Sequence, residues 1–173
     1  MHQNIRLFFS PLIGALVVAT AGAAAAQAPQ QTTATYEDWV VRCETAAGPQ
    51  PKKSCEMVQS TQMQGQGVVS QIAVGHPVNG QPVKIVVQLP NGVWLPTGVK
   101  LVTGKSDPGL TATFKRCLNG CFADFEVKDD TIKKFRSMPE PGQIQFKDGA
   151  VKDVSLPLSF KGFGAAFDAL SKE

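Results

Sequence analysis

Residues Val68–Leu89 read VVSQIAVGHPVNGQPVKIVVQL. Apolar side chains recur at every second position on both sides of Asn79-Gly80. A two-residue turn at Asn-Gly needs positive φ at both positions, which these residues tolerate, and it joins two antiparallel strands. A turn centred there sets Ile72 opposite Val87 and Val74 opposite Ile85. Apolar side chains then meet on one face, and a slip of one residue would turn that face to water. Period two, not the 3.6 of a helix, is therefore the rule to test along the rest of the chain.

Most of the chain obeys it. Trp39, Val41 and Cys43 alternate with Val40, Arg42 and Glu44, and Cys55, Met57 and Gln59 alternate with Glu56, Val58 and Ser60. Both cysteines fall on the more apolar faces of neighbouring strands. Gln62–Gly67 reads as a loop. Asn91-Gly92 offers a second tight turn, which would place Leu89 opposite Trp94. Gly98–Thr103 and Leu110–Arg116 are short strands. In the return strand Cys121, Ala123, Phe125 and Val127 face one way. Asp148-Gly149 signals a turn between Gln143–Lys147 and Ala150–Ser159. Val154, Leu156, Leu158 and Phe160 then alternate, with Val151 out of phase, so a bulge is expected near Lys152–Asp153. Pro157 has no N–H for a ladder and belongs on an edge.

Two segments break the period. Asp129–Met138 opens with Asp-Asp-Thr capping chemistry, spaces Ile132 and Phe135 by three, and carries Lys133, Lys134 and Arg136 toward its end. Gly162–Glu173 puts Phe163, Ala166, Phe167 and Leu170 on one helical stripe, suited to a lid on a sheet. The sum is an all-β fold, an antiparallel sandwich or barrel, with one or two short helices including a C-terminal one.

The N-terminus tells where the chain goes. Residues 1–26 combine Arg6, an apolar run from Leu7 to Val18 and Ala24-Ala25-Ala26 before Gln27. A charged start, an apolar middle and small residues at the cut make a secretory signal peptide. The run from Leu7 to Ala26 is also long enough to span a bilayer as an uncleaved anchor. Gln27–Thr35 is polar and aperiodic, a flexible tail, and residues 36–173 form a single β domain. The 17 basic and 14 acidic residues leave a net charge of +3. That gives no electrostatic case for nucleic acid. No second apolar run follows the signal.

An even count of four cysteines in an exported chain reads as disulfides. Three pairings are possible, and the local one, 43–55 with 117–121, is favoured. Cys117-Leu118-Asn119-Gly120-Cys121 looks like a three-residue hairpin loop with Gly120 at positive φ, which brings its two cysteines to bonding range. Neither local bridge would join two sheets, so immunoglobulin signals are absent. Chain entropy assigns about 3 kcal/mol to the 43–55 bridge and about 2 kcal/mol to the tighter one. A four-cysteine zinc site needs closer spacing than Cys43 and Cys55 offer. A redox dithiol would favour C-x-x-C before a helix, and here the spacing is C-x3-C.

Catalytic groups are sparse. With His2 in the signal, His76 is the remaining histidine, expected as a partly buried tip on the Ile72–Val74 face. No Gly-x-Ser-x-Gly elbow, phosphate loop, dinucleotide fingerprint or calcium loop occurs. A copper site would have to draw on His76, Met57, Met63 and Met138, which show no clustered spacing. No catalytic residue, metal or cofactor is assigned. Trp94, Phe122 and Pro157, near turns and edges, are the candidate binding residues.

The chain resembles the invasion-associated locus B (IalB) family of Gram-negative envelope proteins from about Tyr36 to Leu170. The resemblance is carried by Asp38-Trp39-x3-Cys43, Cys55, and the stretch from Leu89-Pro90 to Leu95-Pro96-x-Gly98-Val99-x-Leu101. Cys117-x2-Gly120-Cys121 and the closing Leu156-Pro157-Leu158-Ser159-Phe160-Lys161-Gly162-Phe163-x-Ala165-Ala166 complete it. Phe160 and Phe167 stand where leucines are expected. The resemblance implies export, a β-rich fold and two local disulfides. In pathogenic members it implies a part in host-cell entry, notably into red blood cells. It implies no catalytic residues. The expected function is a non-enzymatic binding module in the periplasm, at the outer membrane or outside the cell. Its partner would be a protein or envelope component, or the host-cell surface in pathogenic relatives. The alternative is a structural or stress-related envelope protein without a specific ligand, and a thiol-redox or metal-binding protein ranks third.

Overall fold

A computed structural model describes residues 30–76, 81–104, 107–139 and 141–173. The expected signal peptide and the expected turn at Asn79-Gly80 lie outside the described residues. The strands are β1 (Gln30–Tyr36), β2 (Trp39–Thr45), β3 (Lys53–Met63), β4 (Gly67–Gly75), β5 (Val83–Leu89), β6 (Val99–Val102), β7 (Leu110–Ala112), β8 (Phe114–Leu118), β9 (Gly120–Val127), β10 (Gly142–Lys147) and β11 (Asp153–Leu158). Helix α1 covers Asp129–Ser137 and helix α2 Phe163–Leu170. Seven strands form one antiparallel sheet in the order β1-β2-β3-β4-β5-β9-β8, and four form a second in the order β11-β10-β6-β7.

The hairpin that decides the fold has the register read from its alternation: Ile72 pairs with Val87 and Val74 with Ile85. All four side chains are buried. The inward faces of β2 and β9 are likewise the alternating ones, and Cys121, Ala123, Phe125 and Val127 are all buried. Leu101, Ile144, Leu156 and Leu158 of the smaller sheet join the same apolar core. Burying side chains of this size contributes about 1.5–3 kcal/mol each before chain entropy is subtracted. At Thr113 the chain passes directly from β7, the last strand of one sheet, to β8, the last of the other.

Helix α2 is the lid its stripe predicts: Phe163, Ala166, Phe167 and Leu170 are buried against β1, β2, β3 and α1. Helix α1 buries Ile132 and Phe135. Its N-cap is Lys128 with no side-chain cap bond, so Asp129 and Asp130 act through the helix dipole and not as caps. The rings of Trp39, Phe135, Phe160, Phe163 and Phe167 form one cluster, with Trp39 edge-on to Phe163 at 5.2 Å and Phe160 5.1 Å from Phe135. The two phenylalanines in place of leucines are thus part of an aromatic core.

A polar clasp fastens this flank. Trp39 Nε1 and Gln59 Nε2 both donate to the Ser159 carbonyl, at 3.1 and 3.0 Å, and Ser159 N donates back to Gln59 Oε1 at 2.9 Å. Ser159 Oγ donates to Asp38 Oδ2 at 2.5 Å. Gly162 follows with φ 77, and a Cβ there would stand 2.1 Å from the Tyr36 carbonyl oxygen, so only glycine fits.

Three expectations need correction. The expected tail Gln27–Thr35 is, from Gln30 onward, part of strand β1, which is paired in full with β2. The strand's residues are exposed up to Tyr36, so neither face carries an apolar alternation to reveal it. Leu89 does not face Trp94 across an Asn91-Gly92 turn. It pairs with Cys121, because β9 already occupies that edge of β5. The chain instead crosses to the other sheet, where Val93 bridges Asp148 and Trp94 N donates to the Lys147 carbonyl at 2.8 Å. Finally, Val151 is not part of a bulged strand. It lies in the β10–β11 turn at φ 64, where Asp148 Oδ1 accepts from the N–H groups of Ala150 and Lys152.

Candidate interaction surface

The antiparallel order of the larger sheet places three connections at one end: the β3–β4 turn, the segment leaving β5, and the β8–β9 hairpin. The Val93–Asp148 bridge brings the β10–β11 turn to the same end. Side-chain amides tie the tips together. Asn91 Nδ2 donates to the Leu118 carbonyl and Gln88 Nε2 to the Asn119 carbonyl, both at 2.9 Å. Gly120, at φ 124, lets the hairpin pass close to Leu89 and Gln88.

The exposed large apolar side chains among the described residues all sit on these connections: Met63 and Val68, Trp94 and Leu95, Leu118, and Val151. Leu118 is 72% exposed and Trp94 40%. Single exposed apolar residues are ordinary, whereas a group gathered at one end marks an interaction surface. Between the tips lies a hollow of about 220 Å³ whose walls include Met63, Pro90, Val93 and Phe146. Val151 adds a further sign. A β-branched residue at positive φ costs about 1–3 kcal/mol, and its side chain here recovers little of that by burial.

The three candidate binding residues separate. Trp94 stands at this end, at the entry to the 3-10 turn Leu95–Thr97. Phe122 lies half-buried on β9, its ring under the Arg116 guanidinium at 4.9 Å. Pro157 is exposed on the edge strand β11, its carbonyl accepting from Thr61 Oγ1 at 3.4 Å. Met63, Val68, Leu95, Leu118 and Val151 are not among the contact residues expected from the sequence, although Met63 stands there as a copper candidate and Val151 as an out-of-phase residue. The one available signal was an apolar residue set among turn formers, as in Leu118-Asn119-Gly120.

Both local disulfides are formed, Cys43–Cys55 between β2 and β3 and Cys117–Cys121 between β8 and β9. The sulfurs of Cys43 and Cys55 lie near the Glu173 carboxylate, and no other such cluster of three metal-type ligands occurs among the described residues. With both sulfurs engaged and Glu173 paired to Lys53, this group lacks the free donors a metal needs. The copper candidates stay apart: Met57 is enclosed in mid-β3, Met63 exposed at that strand's end, and His76 exposed beyond the opposite end of the β3–β4 pair. His76 is therefore more exposed than its alternation with Ile72 and Val74 suggests.

Two carboxylates are held below their ordinary range. Asp107 is lowered by the Thr103 hydroxyl and the Lys134 ammonium, at 2.9 Å, with the N–H groups of Gly109 and Thr103 adding to this and burial opposing it. Asp168 is lowered by Arg136, whose guanidinium also lies over Phe167. Both sit in structural ties involving α1, away from the apolar tips.

An antiparallel β protein with two local disulfides and a helical lid belongs to the disulfide-stabilised β modules. Within that class the family is shown by sequence. Residues 39–171 match the family model described as "Invasion associated locus B (IalB) protein", and the chain belongs to the IalB family. A solved structure, the invasion associated protein B from Bartonella henselae, is similar with a TM-score of 0.67 at 21% identity. The match covers 80% of this chain and 94% of that one. The likeness supports the antiparallel β fold with a C-terminal helix. No curated protein matches the sequence. The two disulfides and the family are consistent with a place outside the cytoplasm. No helix among the described residues is long and apolar enough to cross a membrane.

Proposed function

We propose that this IalB-family chain is an exported, non-catalytic binding module of the bacterial envelope, and that it meets its partner with the loop end around Trp94 and Leu118. In this reading residues 1–26 are removed on export and Gln27–Glu173 acts in the periplasm, at the outer membrane or outside the cell. Host-cell contact applies where the producing organism is invasive. The observation that carries the proposal is the gathering of the exposed large apolar side chains on four connections at one end. The perturbed carboxylates and the exposed histidine do not converge there, which favours contact over catalysis.

A photo-crosslinking residue at position 94 or 118, introduced in intact cells, tests the reading. The expected result is one discrete envelope adduct at both positions and none at Lys52, on the loop at the other end of β2 and β3. Equal capture at all three positions, or none at 94 and 118, would count against it. Intact mass of protein recovered from its own envelope checks the expected cut after Ala26.

A further inference from the structure

The chemistry of the loop end narrows its partner. Its exposed apolar residues are tips of separate connections and not the walls of a deep pocket: the hollow between them holds only about 220 Å³. Behind the tips the side chains are largely neutral amides, including Gln62, Gln64, Gln66, Gln88, Asn91 and Asn119. The charges that do occur are unequally available. The Asp148 carboxylate turns back onto the N–H groups of Ala150 and Lys152, and Asp153 is paired with Lys147 at 2.7 Å. Arg116, over the Phe122 ring, and Lys152 are left exposed on the hairpin and the β10–β11 turn. The end thus offers a tryptophan, aliphatic tips and exposed cations, while Asp148 bonds back onto its own turn and the exposed Asp153 is neutralised by Lys147.

That arrangement complements an anionic phospholipid surface. Aliphatic tips gain by entering the interfacial zone, tryptophan favours the headgroup level, and cations behind them meet phosphate. We infer that the loop end docks on an anionic phospholipid leaflet, with Trp94, Leu118 and Val151 entering the interface and Arg116 and Lys152 facing the headgroups. This rests on the loop end being the contact surface and adds the class of partner. The strained, exposed Val151 is consistent with it: burial in lipid recovers what the folded protein alone does not.

The test uses protein isolated from its own cells and two kinds of vesicle. One is phosphatidylethanolamine mixed with phosphatidylglycerol, the other phosphatidylcholine alone. The protein should sediment with the first far more than the second. Brominated acyl chains should quench the emission of Trp94, while Trp39, 1% exposed in the core, stays bright. Leu118→Asp should weaken partition about tenfold or more, the loss expected for one exposed leucine kept out of an apolar phase. Lys152→Gln should weaken it about fivefold, the share of one cation near an anionic surface. Near-ultraviolet circular dichroism checks that both variants stay folded. Absence of sedimentation with either vesicle, or Leu118→Asp binding like the parent, overturns the lipid proposal. If position 94 still captures a discrete envelope protein in cells, the contact surface stands with a protein partner. If it captures none, both readings fall.

Discussion

The helical flank and the loop end are both rich in apolar side chains, yet only one of them is covered. On the flank, Trp39 and four phenylalanines meet beneath α1 and α2, and the Ser159 clasp closes over them. At the loop end no helix among the described residues returns, and Leu118, Trp94 and Val151 are exposed. The difference teaches which residues hold the fold and which remain free to do something else. Substitution should separate the two cleanly.

Phe163→Ala should have the largest effect. Its ring packs against Trp39, Phe135 and Phe167, and emptying that space costs about 3–5 kcal/mol, read as a lower denaturant midpoint with unchanged slope. The disulfides come next. Replacing Cys43 and Cys55 together by alanine should cost about 3 kcal/mol, and replacing Cys117 and Cys121 about 2 kcal/mol, on the chain-entropy scale. The reverse order would show that the hairpin bridge holds more than its own loop.

Asp107 gives a pH-dependent effect on the flank. Its carboxyl titrates below the ordinary 3.8, so the ionised form is favoured in the folded state. The stability it contributes is complete above that ordinary value and is lost as pH falls through it toward the lower folded one. Asp107→Asn should flatten the acid limb of a stability–pH curve and leave the slope near neutrality unchanged. The smallest effect belongs to the other end: Leu118→Ser should shift stability by no more than about 0.5 kcal/mol, since the side chain is 72% exposed. A large loss there would mean that the hairpin tip supports the core and would dissolve the contrast.

How far the sequence could be read follows the same division. Where one face is buried, alternation sets the register, as for Ile72 with Val87 and Val74 with Ile85. The stripe Phe163-Ala166-Phe167-Leu170 was legible for the same reason. Strand β1 was not, because six exposed residues before the half-buried Tyr36 satisfy a ladder without leaving a pattern in side-chain type. Asn91-Gly92 misled because turn chemistry is local, whereas the free edge of β5 is taken by a strand some thirty positions further on. The apolar tips were hidden because exposure depends on what fails to pack over a residue, and no local motif records that. Only Trp94 was singled out, through its place beside a turn.

The clasp at Ser159 also has a temporal side. Trp39 and Ser159 stand 120 residues apart, so their hydrogen bond waits for nearly the whole chain to emerge from the ribosome. The hairpins of the larger sheet, made of neighbouring segments, form without that wait. The last few residues to be delivered, from Ser159 through α2, therefore act as the final latch, and a chain stopped at Leu158 would present an open aromatic flank to every protease it met.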